Sequence, residues 1–188
     1  MYLNPETGWV AGIAHCPSPN FNQRPDGEVS LLVIHNISLP PGCFGGGNVH
    51  ALFQNRLEPA GHPFFRDIAG LQVSAHFLVE RDGAITQFVS CRDRAWHAGV
   101  SCFDERPNCN DYSLGIELEG TDHLPYSEAQ YRSLIALARL LRHHYPRIGA
   151  GRICGHSDIA PGRKSDPGPA FDWTRLRAAL DNGPGEGK

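Results

Sequence analysis

Apolar positions along the chain fall into three patterns. Ser30-Leu31-Leu32-Val33-Ile34-His35-Asn36 holds an unbroken apolar run that ends in a histidine. Such a run predicts a central strand buried on both faces, and a polar residue at its carboxyl end can reach a site at the sheet edge. Leu114-Gly115-Ile116-Glu117-Leu118-Glu119-Gly120 alternates instead, with Leu114, Ile116 and Leu118 on one side and Gly115, Glu117 and Glu119 on the other. Two glutamates on an inner strand are costly unless paired or open to a cleft, so one of them is expected to be functional. Ser74–Val79 and Ala84–Val89 flank Arg81-Asp82-Gly83 and predict a β-hairpin. The third pattern has helical spacing. Tyr131, Leu134, Ile135, Ala138, Leu141 and Tyr145 predict a long helix, opened by a capping-box-like Ser127…Gln130 and ended by Pro146. Val49, Leu52 and Phe53 predict a helix around 48–57, and Asp172 caps a short one containing Trp173, Leu176 and Leu180.

Between these elements the chain is rich in breakers. Residues 1–28 read as an irregular leader lying across the domain, and residues 58–72 as irregular again. Pro40-Pro41-Gly42-Cys43-Phe44-Gly45-Gly46-Gly47 is a connector whose glycines give it the backbone freedom of a lid, more mobile without substrate than with it. No internal repeat or dividing linker is found. Residues 1–181 are expected to form one domain and 182–188 a flexible tail.

Composition narrows the function classes. At 188 residues and a net charge of −3 there is no block of like charge to suggest a nucleic-acid or anionic-membrane partner. No apolar run approaches the roughly 20 residues that span a bilayer. The N-terminal stretch lacks a basic start and an apolar signal core, which predicts a cytosolic protein. The six cysteines form no Cys-x-x-Cys pair and are expected to be reduced thiols, with Cys154 a small apolar filler at the end of a strand.

The densest chemistry lies in Gly155-His156-Ser157-Asp158-Ile159-Ala160-Pro161-Gly162-Arg163-Lys164-Ser165-Asp166-Pro167-Gly168. Its prolines and glycines predict a shaped loop rather than a helix. Imidazole and carboxylate suit a divalent metal, but the spacing is not the helical His-Glu-x-x-His pattern, so a zinc site here needs a ligand from far away. His35 is placed to supply it. The competing reading is a polar surface loop whose Asp residues bond their own turn, which suits Asp158 well. His76 reads as a buried, satisfied histidine next to the site. His143 and His144 read as favouring a helix dipole. Arg94-Ala95-Trp96-His97-Ala98-Gly99 suits either a groove wall, with the indole as an apolar platform, or plain core burial of Trp96.

Taken in order, Leu-Val-Ile-His35-Asn-Ile-Ser, Ser-Ala-His76-Phe, Arg-Ala-Trp96-His-Ala-Gly, Gly-Ile-Glu117-Leu-Glu-Gly and the His156–Asp166 segment resemble a known family. They are similar to the zinc-dependent N-acetylmuramoyl-L-alanine amidases of the bacteriophage-lysozyme and peptidoglycan-recognition-protein superfamily, over about Gly8 to Trp173. The resemblance implies a mixed α/β (α+β) single domain, with a central mixed β-sheet flanked by α-helices. It implies one zinc ion per chain on His35, His156 and Asp166. Relatives outside the nearest branch often carry Cys at the last position; the carboxylate matches the branch that acts on 1,6-anhydro-muropeptides. The resemblance makes Glu117 and Lys164 the catalytic pair and Asn36, Trp96, His97 and Arg106 the candidate substrate contacts. Arg106 enters because Asn108 stands where some members have a basic residue.

The implied reaction is hydrolysis of the amide between the lactyl group of (1,6-anhydro-)N-acetylmuramic acid and L-alanine, in cytosolic recycling of soluble muropeptides by a monomer. Zinc with three ligands keeps a position for water. Glu117 serves as base and then acid, with Glu119 as a stand-in, and Lys164 meets the oxyanion. Two other classes stand beside this one: a non-catalytic muropeptide-recognition module on the same fold, and a cysteine hydrolase using Cys154 or Cys109 with His156.

Overall fold

A computed structural model describes residues 1–181; the expected tail from Asn182 to Lys188 lies outside the described residues. Six strands form the central sheet: β1 (Ala14–His15), β2 (Leu31–Ile37), β3 (Phe77–Val79), β4 (Ile85–Gln87), β5 (Ser113–Glu119) and β6 (Ile153–Gly155). Their order is β6-β2-β5-β3-β4-β1. The neighbours run parallel except for β3 and β4, which form the expected hairpin, so the sheet is mixed. Leu31, Leu32, Val33 and Ile34 are all fully buried, as an unbroken apolar run requires of a central strand.

The helices are α1 (Asn48–Phe53), α2 (Pro63–Asp67), α3 (Glu128–His144), α4 (His156–Ile159) and α5 (Trp173–Asp181). On one face of the sheet, Leu32, Ile34, Leu114, Ile116 and Leu118 pack with Leu134, Leu137, Ala138 and Leu141 of α3 and Leu176 of α5. Leu137 lies outside the stripe read from the sequence. It is fully buried in one cluster with Leu3 and Val10, on the flank of α3 that meets the N-terminal strands, where the Tyr2 and His144 rings touch; this widens the apolar face of the helix. The other face carries a cluster under α1 and α2, with Leu52, Phe53, Phe65 and Leu78, and a smaller one around Val33, Cys109, Tyr112 and Cys154.

Several expectations are corrected. Residues 1–28 are not merely a leader. Tyr2–Leu3 pairs with Val10–Ala11, β1 extends the sheet, and Phe21–Gln23 pairs with Asp93–Ala95. These strands are two or three residues long, too short to show a period, and most pair with distant partners. The 58–72 stretch holds α2, which starts on Pro63 behind a His62 cap whose Nδ1 accepts from Phe64 N. The His156–Asp166 segment opens with the single turn of α4, ahead of its prolines.

The box at the start of α3 is present. Ser127 Oγ accepts from Gln130 N (3.0 Å), and Gln130 Oε1 accepts from Ser127 N (3.0 Å). Ser127 Oγ also donates to Arg81 O (2.6 Å), and Gln130 Nε2 donates to Val79 O and Glu119 O, so the cap ties α3 to the carboxyl ends of β3 and β5. Ser127→Ala is expected to cost about 1–2 kcal/mol, read as a fall of about 2–8 °C in Tm; an unchanged Tm would show that the cap contributes nothing.

Candidate metal centre and groove

The site is built at the carboxyl ends of β6, β2 and β5. In the β2–β5 register His35 pairs with Glu117, and in the β6–β2 register Gly155 pairs with Ile34. His156, the next residue, therefore comes alongside His35. Side chains paired across strands share a face, so His35 and Glu117 point away from α3, whose side takes Ile34 and Ile116. Asp166 arrives from the loop. Its carbonyl accepts from Ser157 N (3.0 Å), and the next carbonyl, of Pro167, accepts from Asn36 Nδ2 (3.2 Å) and Tyr126 Oη (2.8 Å). Gly168, at φ 79°, passes so close to Asp122 that a Cβ would lie 2.2 Å from its Cα. Asp158 behaves as a turn residue, accepting from Gly155 N at 2.7 Å.

Three ligand atoms converge. His35 Nδ1 is 3.0 Å from His156 Nδ1, and each lies 3.1 Å from Asp166 Oδ2. Burial pushes His35 down to about 4, so its ring is neutral at pH 7. Burial alone would raise the Asp166 carboxyl, but its hydrogen bonds with His156 and His35 outweigh that and hold it below the usual carboxylate range. With the proton on Nε2, which faces Ala98 O at 3.0 Å, the His156 ring leaves Nδ1 bare in front of a carboxylate oxygen. In that tautomer the hydrogen bond that His156 can otherwise donate to Asp166 is lost, and two acceptors facing each other at 3.1 Å repel unless a cation joins them. Ligands 2.0–2.2 Å from a tetrahedral metal are about 3.3 Å apart, so the spacing and chemistry of this trio fit a divalent ion such as zinc.

Glu117 stands beside them. It is buried, and its Oε2 has no hydrogen-bond partner among the described residues. Burial, and then the charge of Asp166, raise its proton affinity well above that of an ordinary glutamate, while Lys164 opposes the shift. Glu119 is used otherwise. Its carboxylate accepts from Gly45 N of the glycine-rich connector and from Arg81 N (3.3 Å), so Glu117 is the one left open to the site.

An open groove of about 380 Å³ is lined by Glu117, His156, Asp166, Lys164, Asn36, Trp96 and His97, together with the apolar Leu39, Leu52, Phe64 and Leu71. The polar atoms of the candidate contacts are largely taken up inside the protein. Asn36 Nδ2 also donates to Asp122 Oδ1 (2.8 Å), Trp96 Nε1 donates to Asn22 Oδ1 (2.8 Å), and the two ring nitrogens of His97 face His35 and Ser113. Asn22 gives no signal of this contact in the sequence, because it sits in an N-terminal stretch with no period. Arg106 is not brought to the groove: it pairs with Glu28 (2.9 Å), lies over the Tyr112 ring, and lines a separate hollow with Arg147 and Arg152. His76 is fully buried and bonded to Gly115 N and Asp93 O, as expected of a satisfied histidine. All six cysteines are free. Cys154 and Cys109 lie in an apolar cluster, and burial pushes the Cys154 thiol up, the wrong direction for a thiolate nucleophile.

Comparison with known proteins shows the family and the fold. Residues 25–169 match the family model described as N-acetylmuramoyl-L-alanine amidase. The chain is 57% identical over 176 residues to the 1,6-anhydro-N-acetylmuramyl-L-alanine amidase AmpD of Escherichia coli (strain K12), covering 93% of this chain and 96% of that protein. Among solved structures, a selenomethionine derivative of AmpD superposes with a TM-score of 0.92 at 54% identity, covering 96% of this chain and 99% of that one. The E. coli amidase AmiD, solved with the substrate anhydro-N-acetylmuramic acid-L-Ala-D-gamma-Glu-L-Lys, superposes at 0.59 with 31% identity, covering 80% of this chain and 57% of that one.

Replacing His35, His156 or Asp166 with Ala is expected to abolish stoichiometric binding of a divalent metal while leaving the far-ultraviolet circular dichroism unchanged, since the main core lies across the sheet. Metal analysis after gel filtration checks this, and full retention in His35→Ala would count against the assignment.

Proposed function

The chain belongs to the N-acetylmuramoyl-L-alanine amidase family, and from that premise we propose that it cleaves soluble muropeptides ending in 1,6-anhydro-N-acetylmuramic acid, with one zinc ion on His35, His156 and Asp166. The protein is an N-acetylmuramoyl-L-alanine amidase: water adds to the carbonyl carbon of the lactyl group, the C–N bond breaks, and L-alanine leaves as the amine. The observation that carries the proposal is the convergence of three ligand atoms beside the buried, unpartnered Glu117 oxygen.

Zinc bound there would supply Lewis-acid polarisation of the amide carbonyl and a water of lowered pKa. Glu117 takes the proton of the attacking water, a role favoured by its raised proton affinity, and delivers it to the departing nitrogen. An alkyl amine leaves poorly without that proton. Lys164, on the exposed rim, meets the negative charge developing on the carbonyl oxygen. The apolar wall of the groove and the Trp96 ring shield this chemistry from water and offer the sugar a flat surface.

The substrate reading rests on the 57% identity to an amidase named for 1,6-anhydro substrates. Six free thiols suit a reducing interior. No helix among the described residues is long and apolar enough to cross a membrane. A monomer working in the cytosol on imported fragments in peptidoglycan recycling accounts for these features together, with neither nucleic acid nor membrane as a partner.

Glu117→Gln and Lys164→Ala are expected to retain zinc yet lose at least about 10²-fold in kcat; zinc loss in either variant would make that residue structural. The acidic limb of kcat/KM should follow loss of the Glu117 base form as pH falls, with burial raising its position and the charges of zinc and Lys164 lowering it. Lys164→Ala removes the cation that opposes the rise, so its limb should move to higher pH; an unmoved limb would uncouple the two groups. Shape discrimination by packing alone is worth roughly 1–3 kcal/mol, so anhydro substrates should be preferred to hydrated ones of identical peptide by about 10- to 200-fold in kcat/KM. Equal values, or rapid release of peptides from purified sacculi, would overturn the substrate reading.

A further inference from the structure

The segment that walls the groove with Trp96 continues into a second task. His97 Nδ1 lies 2.9 Å from His35 Nε2, and Ala98 O lies 3.0 Å from His156 Nε2. Two adjacent residues thus face the outer nitrogens of both histidines whose Nδ1 atoms converge on Asp166. The pair is pinned by one atom: Asn110 Oδ1 accepts from His97 N (3.1 Å) and from Ala98 N (2.8 Å). Asn110 is buried, and its carbonyl accepts from Arg24 Nη1 at 3.1 Å. From the other side Arg163 Nη2 donates to Ala98 O at 2.7 Å. The His97 ring lies flush on Gly115, where a Cβ would come within 2.5 Å of its Cγ.

The chemistry of this arrangement is directional. An imidazole that offers Nδ1 to a metal carries its proton on Nε2 and needs an acceptor there. Ala98 O can only accept and, at 3.0 Å, is nearer to His156 Nε2 than the donor Arg163 Nη2 at 3.4 Å, which favours the proton on Nε2 of His156. His97 faces Ser113 Oγ (3.2 Å) through Nε2, and a hydroxyl can accept that proton, which frees Nδ1 to accept from His35. We propose that the His97–Ala98 pair, held by Asn110, is the positioning element that fixes both imidazoles in their ligand tautomer, and that His97 serves the metal centre rather than the substrate. The proposal rests on the metal reading of His35, His156 and Asp166.

The test measures zinc affinity of the full chain by chelator competition, with the Tm of each zinc-free variant as the control for folding. His97→Leu and Asn110→Ala should bind zinc about 10- to 100-fold more weakly. His97→Asn carries an oxygen bonded directly to Cγ, as Nδ1 is, and Asn110→Asp keeps an acceptor for the two amides; both should restore affinity toward wild type. In the zinc-loaded wild type, ¹⁵N–¹H spectra should show His97 protonated on Nε2. Wild-type affinity in His97→Leu, equal losses in the Leu and Asn variants, or His97 protonated on Nδ1 in the loaded protein would each overturn the proposal. Failure of the wild type to bind zinc would instead bring down the metal reading itself, and this inference with it.

Discussion

In the register that joins β2 to β5, His35 lies beside Glu117 on one face while Ile34 lies beside Ile116 on the other. A slip of one residue would drive the imidazole and the carboxylate into the core under α3 and expose the isoleucines. The register therefore decides at once that the sheet has a core and that the core's opposite face has chemistry. Pairing of β6 with β2 adds His156 to the same row. The remaining ligand comes from a loop that cannot be placed until the strand ends exist, and Asn36, itself on β2, helps to fasten it through Pro167 O.

The trio is unfavourable by itself. A carboxylate, two imidazole nitrogens and a second buried carboxyl lie together, and burial penalises the charged forms of both Glu117 and His35. A divalent cation compensates this by drawing on the same lone pairs that repel without it. An ion that binds only the folded chain also adds to its stability in proportion to the logarithm of its free concentration over Kd. The arrangement is thus an incomplete structure whose missing charge is specified by the groups around it, and Glu117 remains as the one carboxyl of the row with an oxygen to spare for a proton.

Much of this could be read from the residues. The apolar run ending in His35, the alternation that puts Glu117 opposite Leu118, and the capping box of Ser127 are local signals, and the local geometry follows them. Other features were illegible because they are made by contacts between distant segments. The strand pairs of the N-terminal stretch show no period of their own. Leu137 is buried in one cluster with Leu3 and Val10 of the N-terminal strands, more than a hundred residues away in sequence. His97 lines the groove beside Trp96, but its 2.9 Å approach to His35 is made only when the strands assemble. Charge and neighbourhood in sequence suggest Arg106, but the Glu28 carboxylate and the Tyr112 ring hold it elsewhere.

The measurement that bears most directly on the account is anomalous X-ray scattering at the zinc edge from crystals of the zinc-loaded protein. The account predicts one strong peak per chain, within about 2.0–2.2 Å of His35 Nδ1, His156 Nδ1 and Asp166 Oδ2, with Glu117 near it but not bound. No peak in that position, or a peak held through Nε2 of either histidine or by Glu117, would contradict it.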